Sequence, residues 1–284
     1  MSEDFILQDN ILVECQQKNI ISAVIPDGVA EIAEGAFDNC QNLVAVEFPQ
    51  SLKKIGDKAF KDCVSLTRID LSGVKILGAY AFADCTSLIN VRFGSEISYL
   101  CNGTFENCTS LQEVILPENI VYIGCDCFRN CTSVNSVEMN GVMDIDTSAF
   151  ENCSMLYSVT LPDTLLRIAP YAFSFCANLK SVICKNQFIN IDETAFDNTI
   201  DITIRASQFS AAYRYALDAK HKCLPIIINP CLREIDGKYV ALLKNAGIMF
   251  QMKPFPDNSE KAAIRFDKSV EDKVDEILGG FKNE

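Results

Sequence analysis

The hydrophobic positions of this chain follow a pattern that repeats across more than half of its length. Phenylalanines recur every 22 or 23 residues, at positions 37, 60, 82, 105, 128, 150, 173 and 196. Self-similarity at such a period is typical of a solenoid, in which each repeat forms one coil and stacked coils share a core. The pattern therefore predicts an elongated repeat array.

Each repeat carries the same series of apolar positions. A cysteine follows the phenylalanine by three residues in the first seven repeats, and an aliphatic residue follows three further on. Alternating residues such as Ile69 and Leu71 then predict a short strand with one buried face. Another inward aliphatic residue, such as Ile55 or Leu77, follows a turn that often contains proline. Each coil is predicted to have a parallel strand on one wall and a short helical turn on the other.

The complete repeat resembles the BspA-like class of leucine-rich repeats, whose pattern is C-x-x-L-x-x-I-x-L-P-x-x-L-x-x-I-G-x-x-A-F. Residues 40–60, C-Q-N-L-V-A-V-E-F-P-Q-S-L-K-K-I-G-D-K-A-F, match it almost position for position, and the resemblance covers about residues 20–205. It implies an α/β fold, a strand-rich right-handed solenoid with a parallel sheet on one face. Members of the family are often surface or secreted proteins implicated in adhesion, which implies a non-catalytic scaffold for protein–protein interaction.

Both ends of the array need covering, because a solenoid exposes apolar surface there. Residues 1–22 predict a capping hairpin that turns at Asp9–Asn10, and residues 23–205 then hold about eight repeats. Residues 206–229 predict a cap helix over Ser207–Leu217, followed by a strand near Leu224–Asn229. The apolar face of that helix is expected to comprise Phe209, Tyr213 and Leu217.

The repeat is absent from residues 230–284, which predict a small α/β extension. We expect a helix over 238–245, a strand over 248–252 and an amphipathic helix over 267–281. The apolar stripe of that last helix comprises Val270, Val274, Ile277, Leu278 and Phe281. It is expected to pack against the array; the alternative is a partner-binding surface or a homo-oligomer formed through this helix.

Charge narrows the classes of partner. The formal net charge is −13 and the pI is about 4.6, which argues against nucleic acid or an anionic membrane as the main partner, since both need clustered basic residues. No apolar run approaches the roughly 20 residues of a membrane span, so no membrane insertion is expected. The acidic start, Met1–Asp4, does not resemble a signal peptide, and we expect a cytoplasmic protein.

Fourteen cysteines raise the question of bridges or metal sites, but half of them occupy the one repeat position. Stacked coils place equivalent residues about 4.8 Å apart, whereas zinc needs four ligands converging at about 2.3 Å. The ladder is therefore predicted to consist of free thiols that pack as small apolar groups. Cys101 and Cys125 differ, because they lie in adjacent coils one position out of register, and a strained disulfide or redox-sensitive pair is a candidate there.

Catalytic chemistry has little support in the sequence. The only histidine, His221, lies among Lys220, Lys222 and Cys223, which predicts a solvated side chain without a group to orient it. Phosphate-binding glycine motifs are absent. We expect no enzyme, no cofactor and no metal site.

The exposed strand residues form two columns on the sheet, and this face is the default recognition surface of a solenoid. Charge gathers in its N-terminal half, at Arg68, Asp70, Arg92 and Glu113. These four residues are the candidate patch for an unidentified protein partner. The alternative is that opposite charges, including Glu47 diagonal to Arg68, compensate within a solvated face.

Two hypotheses of different kinds follow. The chain is a scaffold that binds a protein on the sheet, or the array is a platform for an effector or dimerisation module in residues 230–284.

Within the repeat that holds Arg68 and Asp70, a third polar residue, Asp62, is expected to accept hydrogen bonds from turn amides.

Overall fold

The computed structural model describes residues 4–207, 210–225, 230–236, 243–248, 250–254, 261–267 and 270–279. Residues 4–225, where described, form a β-solenoid of about nine turns. Each coil carries one strand on a front wall and a two-residue strand on a back wall. The solenoid fold expected from the repeat is thereby confirmed.

The front sheet consists of parallel strands in equivalent positions of successive coils. They are β3 (Ser22–Val24), β5 (Ala45–Glu47), β7 (Arg68–Leu71), β9 (Asn90–Phe93), β11 (Glu113–Ile115), β13 (Ser136–Glu138), β15 (Ser158–Leu161), β17 (Ser181–Cys184), β19 (Thr203–Ala206) and β20 (Lys222–Pro225). The regular ladder joins β3 to β5, β7 to β9, β11 to β13, and β15 through β17 and β19 to β20. Ladder bonding therefore stops after β5, β9 and β13.

The back sheet forms two five-stranded ladders, β1-β2-β4-β6-β8 and β10-β12-β14-β16-β18. Its strands are β1 (Phe5–Gln8), β2 (Ile11–Cys15), β4 (Glu31–Ile32), β6 (Lys54–Ile55), β8 (Ile76–Leu77), β10 (Tyr99–Leu100), β12 (Tyr122–Ile123), β14 (Asp144–Ile145), β16 (Arg167–Ile168) and β18 (Asn190–Ile191). The second residue of each strand from β4 to β18 is the inward aliphatic residue predicted from the repeat.

The N-terminal hairpin is confirmed, since β1 pairs with β2 in antiparallel fashion. β2 in turn pairs in parallel with β4, so the hairpin begins the back sheet. Leu12 and Cys15 are fully buried, and the ring of Phe5 meets that of Phe37 edge-on at 5.8 Å. The hairpin therefore covers the first coil with a strand and an aromatic edge.

Eight stacked phenylalanine rings form the centre of the core. Successive ring centroids from Phe37 to Phe196 lie 4.8 to 5.6 Å apart, and the ring planes differ by 5° to 10°. Strands of neighbouring coils are held about 4.7–4.9 Å apart by hydrogen bonding, and that repeat lies within the range in which aromatic rings attract one another. Phenylalanine at this position can therefore stack on its neighbours in every coil.

The wall predicted to carry short helical turns is built from hydrogen-bonded turns in residues 4–207. Each turn contains left-handed residues, such as Lys58 with φ 53° and Asp62 with φ 59°. Bonds within the turn, such as Lys61 N–H to the Lys58 carbonyl, alternate with bonds to the next coil, such as Phe60 N–H to the Ala81 carbonyl. The turns thus hold the coils together as a third ladder.

Asparagine and aspartate predominate at the second left-handed position because they tolerate that conformation better than other non-glycine residues. The residues are Asn39, Asp62, Asp84, Asn107, Asn130, Asn152, Phe175 and Asn198. The expectation that Asp62 accepts turn amides is wrong in detail, because its carboxylate pairs with Lys61 Nζ at 2.8 Å. The side-chain amides of Asn107, Asn130 and Asn152 each donate to the side chain at the same position of the preceding coil, as in Asn130 Nδ2 to Asn107 Oδ1 at 2.8 Å.

The repeated cysteines donate hydrogen bonds as well as filling space. Each Sγ from Cys63 to Cys176 lies 3.2 to 3.3 Å from the phenylalanine carbonyl oxygen of the preceding coil. Where Thr199 replaces the cysteine, its Oγ1 donates to the Phe173 carbonyl at 2.8 Å and accepts from Cys176 N at 3.2 Å. This position therefore requires a small side chain that also donates a hydrogen bond. The interpretation of the cysteines as small apolar groups did not include the donor.

The helix expected after the last repeat is α1 (Ala211–Asp218), and Ser210 caps it by accepting a hydrogen bond from Tyr213 N. Its buried residues are Ala212 and Ala216, while Leu217 is 55% exposed, so the predicted inward face is wrong for Leu217. Alanines let the helix approach the last coil closely. Phe209 and residues 226–229 of the predicted strand lie outside the described residues, and the strand itself begins earlier, at Lys222.

The C-terminal residues form a separate small core. Strands β21 (Pro230–Asp236), β22 (Gln251–Pro254) and β23 (Lys261–Asp267) make an antiparallel sheet in the order β21-β23-β22, followed by α2 (Glu271–Gly279). The predicted strand over 248–252 is displaced to β22. The predicted helix over 238–245 is described only at 243–245, where it is helical, and residues 238–242 lie outside the described residues.

The apolar stripe of α2 packs within this unit. Its buried partners are Leu243, Ile248, Ile264 and Phe266, which surround Val270 and Val274. The expectation that the stripe packs against the array is therefore wrong, because the antiparallel sheet provides an apolar surface next to it. A homo-oligomer formed through this helix stays a prediction, and Phe281 lies outside the described residues.

Replacement of Thr199 tests the role of the donor at the cysteine position. Thr199→Val keeps the shape but leaves the Cys176 amide and the Phe173 carbonyl without this partner, so we expect a loss of about 1–3 kcal/mol in the free energy of unfolding. Thr199→Cys restores the residue of the other repeats and should cost less. Urea denaturation of both variants measures the difference, and equal stability of Thr199→Val and the original protein would contradict the role of the hydrogen bonds.

Candidate partner-binding surface

The exposed columns of the front sheet are those predicted from the repeat. In the ladder, Arg68 lies opposite Asn90 and Asp70 lies opposite Arg92, while Glu113 lies opposite Ser136 in the next pair of strands. All four candidate residues are exposed. The sheet therefore presents these charges to solvent in fixed register.

A depression of about 450 Å³ lies on this face and spans β5, β7 and β9. Arg68, Asp70 and Arg92 line it together with Glu47 and the small residue Ala45. Its apolar residues are Val46, Ile69 and Val91. The depression crosses the point where ladder bonding stops between β5 and β7, and Ala45 leaves space that a longer side chain would fill.

A second depression, of about 570 Å³, adjoins the first and shares Val46, Glu47 and Asp70 with it. It continues past the strands to the turns that contain Lys53 and Gly73. The two depressions are therefore neighbours, one on the face of the sheet and one beside the turns that follow the strands.

Asp70 is held in place from two sides. Its Oδ1 accepts a hydrogen bond from Ser72 N at 2.9 Å, and its Oδ2 accepts one from Arg92 Nη1 at 3.4 Å. The hydrogen bonds from Ser72, with a further contribution from Arg92, lower the pKa of Asp70 below its ordinary value. The carboxylate is therefore ionised at neutral pH and in a defined orientation, although both side chains of the ion pair are largely exposed, at 56% and 75%.

Arg68 differs from Arg92, because the structure gives its guanidinium no ion pair or hydrogen bond with any described residue. The expected compensation by Glu47 is not formed, and Asp70–Arg92 is the only ion pair that the described part of this patch contains. Glu113 lines neither depression, since it follows the break in the ladder between β9 and β11. The structure brings together three of the four predicted patch residues.

Two large exposed apolar residues beside the front sheet were missed by reasoning from the strand positions. Tyr157, 62% exposed, and Met155 precede β15. Tyr157 stands one residue before the outward column, at a position that other repeats fill with Val44, Thr67 or Gln112. Inclusion of that position in the repeat alignment would have found it. An exposed tyrosine is a residue type that binding hot spots favour.

Cys101 and Cys125 are free and half-buried. The pairing of Leu100 with Ile123 puts Gly124 opposite Cys101, which agrees with the predicted offset of one position. Burial raises the pKa of both thiols, and the nearby carboxylate of Asp146 raises that of Cys125 further. Protonated thiols react slowly with disulfides and oxidants, which disfavours rapid redox exchange at this pair. The disulfide or redox-sensitive pair stays a prediction.

A polar network on the back sheet was also missed. The hydroxyl of Tyr122 donates to Asp146 Oδ2, and Arg167 Nε donates to both carboxylate oxygens of Asp144 at 2.8 and 3.0 Å. Arg167 also lies 3.4 Å from Asp146. Each charged group has an internal partner, which makes this network a brace between neighbouring coils.

His221 is half-buried instead of solvated, and its ring centroid lies 6.0 Å from that of Tyr215. Burial lowers the pKa of His221 and raises the pKa of Cys223 to about 11. Both groups are therefore neutral at pH 7, which disfavours a thiolate–imidazolium pair. Among the described residues, no group of ligands has the arrangement to hold a metal ion, and no helix is long and apolar enough to cross a membrane.

The repeats of this chain match a known repeat family. The sequence model described as the BspA type leucine rich repeat region matches residues 13–135 and 100–212, with six copies. A search of curated proteins finds no match.

Solved structures with a similar fold are bacterial leucine-rich repeat proteins. One from Bacteroides ovatus is 24% identical, with a TM-score of 0.59 over 76% of this chain and 64% of its own length, so the chain spans less than two thirds of that protein. One from T. pallidum is 31% identical, with a TM-score of 0.57 over 63% of this chain and 89% of its own. One from Eubacterium ventriosum is 20% identical, with a TM-score of 0.53 over 67% of this chain and 46% of its own.

Thiol titration tests the state of the cysteines. Burial raises the pKa of ladder thiols such as Cys108, so a chromogenic disulfide should react slowly with the ladder in the native protein and faster with half-buried Cys101, Cys125 and Cys223. In denaturant without reductant, all fourteen thiols should react. A Cys101→Ser/Cys125→Ser variant should lose part of the fast native phase. A count lower by two in denaturant, restored by reductant, would instead indicate a bridge.

Proposed function

Because the chain belongs to the BspA-type leucine-rich repeat family, we propose that it is a non-catalytic scaffold that binds a protein partner through the front sheet. The observation that carries this proposal is the depression on β5, β7 and β9, which combines charged walls with an apolar floor. Adhesion to another protein or cell is one form that such binding takes.

Rigidity supports the choice of this surface. The strands that carry Arg68, Asp70 and Arg92 are fixed by the stacked rings behind them and by hydrogen bonds between coils. A partner that binds a surface of this kind pays little for ordering the backbone. The pair between Asp70 and Arg92 further reduces the freedom of two side chains before binding.

Arg68 is the residue expected to contribute most. Its guanidinium has no partner among the described residues, stands beside apolar floor residues and is able to bind a carboxylate with two parallel hydrogen bonds. Arginine is also enriched among residues that dominate binding energy. We therefore expect the partner to place an acidic side chain against Arg68 and an apolar side chain over Val46 and Val91.

Charge reversal tests the surface. The double variant Arg68→Glu/Arg92→Glu should weaken binding by at least about tenfold, since a hot-spot residue contributes roughly 2 kcal/mol or more. Arg205→Glu is the control for charge reversal outside the depression, because Arg205 is an exposed arginine in β19, in the same column as Arg92. Partners recovered by affinity purification from the source organism supply the ligand, and their affinity for purified variants is then measured by calorimetry.

The proposal fails if the double variant binds as tightly as the original protein, or if Arg205→Glu loses as much affinity as the double variant does. A single Glu113→Lys variant should have a smaller effect, because Glu113 lies outside the depression. Circular dichroism of each variant checks that the array remains folded.

The C-terminal unit is a second candidate for the functional part of the chain. The observation in its favour is its own buried core, in which Leu243, Ile264, Phe266 and Val274 pack apart from the core of the array. In this alternative the array is a platform for an effector or dimerisation module.

Deletion of residues 230–284 separates the two functions. We expect the deleted protein to retain the thermal transition of the array, because the aromatic stack and α1 remain. We also expect it to retain affinity for the partner within about twofold, a difference of roughly 0.4 kcal/mol. Loss of binding or of self-association together with the unit, from an array that is still folded, would support the alternative.

A further inference from the structure

A cavity of about 690 Å³ lies between the last coil of the array and α1. Its apolar lining includes Ile189, which is buried, and Tyr215, whose ring centroid lies 5.9 Å from that of Phe196. The volume falls within the roughly 300–1,000 Å³ of sites that hold a small ligand. Because both side chains are fixed by the core, this part of the cavity is formed before any ligand arrives.

Charged side chains surround the rest of the cavity. Glu193, Asp197 and Asp218 contribute three negative charges and Arg214 contributes one positive charge, which leaves a net charge of −2. All four side chains are exposed, and the structure gives none of them an ion pair with a described residue. These charged groups are therefore available to form ion pairs with a ligand.

The neighbouring carboxylate of Asp192 shows the contrast. Its Oδ1 accepts hydrogen bonds from Thr194 N at 2.9 Å and from Thr194 Oγ1 at 2.7 Å. That carboxylate stabilises the local turn through these two hydrogen bonds. The side chain of Glu193, the next residue along the chain, lines the cavity instead.

We propose that this cavity binds a lysine or arginine side chain from a basic segment of a partner protein. The aliphatic stem lies along Ile189 and Tyr215, and the cationic head lies among the three carboxylates. Long basic side chains pack in this divided manner, with the stem on apolar surface and the charge in a polar environment. The site is distinct from the front-sheet depression, which is formed by coils near the other end of the array.

Other classes of ligand fit less well. The net charge opposes an anion, and the exposed carboxylates would lose hydration without compensation next to a wholly apolar ligand. Among the described residues, no group of three or more Asp, Glu, Cys or His side chains is arranged to hold a metal ion, and this includes the carboxylates of the cavity. The net charge of the whole chain, −13, adds a field that attracts basic segments towards it.

The experiment uses fluorescein-labelled hexa-arginine as the probe and fluorescence anisotropy as the measurement, with the uncharged isostere hexa-citrulline as the peptide control. Glu193→Gln/Asp218→Asn removes two charges from the cavity. Asp27→Asn/Glu118→Gln removes two exposed carboxylates elsewhere and gives the same net charge. We expect about tenfold weaker binding for the cavity variant and a change within about twofold for the control variant.

Arg214→Gln provides a test with the opposite sign. Removal of the internal cation should strengthen binding about threefold or more, an effect that mere loss of structure would not produce. Equal losses in the two double variants would overturn the proposal, because they indicate attraction to net charge alone. Absence of peptide binding, or equal binding of hexa-citrulline, would overturn it as well. The melting temperature of each variant is measured alongside, and Arg214→Gln decides the outcome if the cavity variant does not fold.

Discussion

The spacing between coils is the constraint on which the rest of the structure depends. Hydrogen bonding of parallel strands sets that spacing at about 4.7–4.9 Å, and the ring centroids, 4.8 to 5.6 Å apart, follow it closely. The other recurring contacts between coils depend on the same spacing, including the hydrogen bond from each ladder thiol to the carbonyl of the preceding coil and those between asparagine side chains. A side chain that cannot make its contact within this spacing has no place in the interior.

The apolar surfaces at the two ends of the array are covered by different elements. At the start, a β-hairpin continues the back sheet and Phe5 closes the ring stack edge-on. At the other end, a helix lies over the last coil and Tyr215 closes the stack in a tilted arrangement. The second solution leaves a cavity, because a helix and a coil have different surface shapes and the small Ala212 and Ala216 are the points of close contact.

The sequence was sufficient to predict the coils, their register and the outward columns, because a pattern repeated eight times averages out local exceptions. The donor role of the cysteines is not visible in a pattern that treats them as apolar residues, although the hydroxyl residue Thr199 at the same position indicates it. The inward face of α1 was predicted wrongly at Leu217, since alanines carry little weight in an apolar pattern. The depression between β5 and β7 depends on where ladder bonding stops, which no residue spacing encodes.

The coils carry nearly identical contacts on both of their faces, so each one is a suitable neighbour for almost any other. Insertion or loss of a whole unit at the level of the gene would keep every core contact and shift the surface columns by one step. Length and surface chemistry are therefore free to change separately from the interior. The unique residues Phe5 and Tyr215, which belong to the ends, are the ones that such exchanges must leave in place.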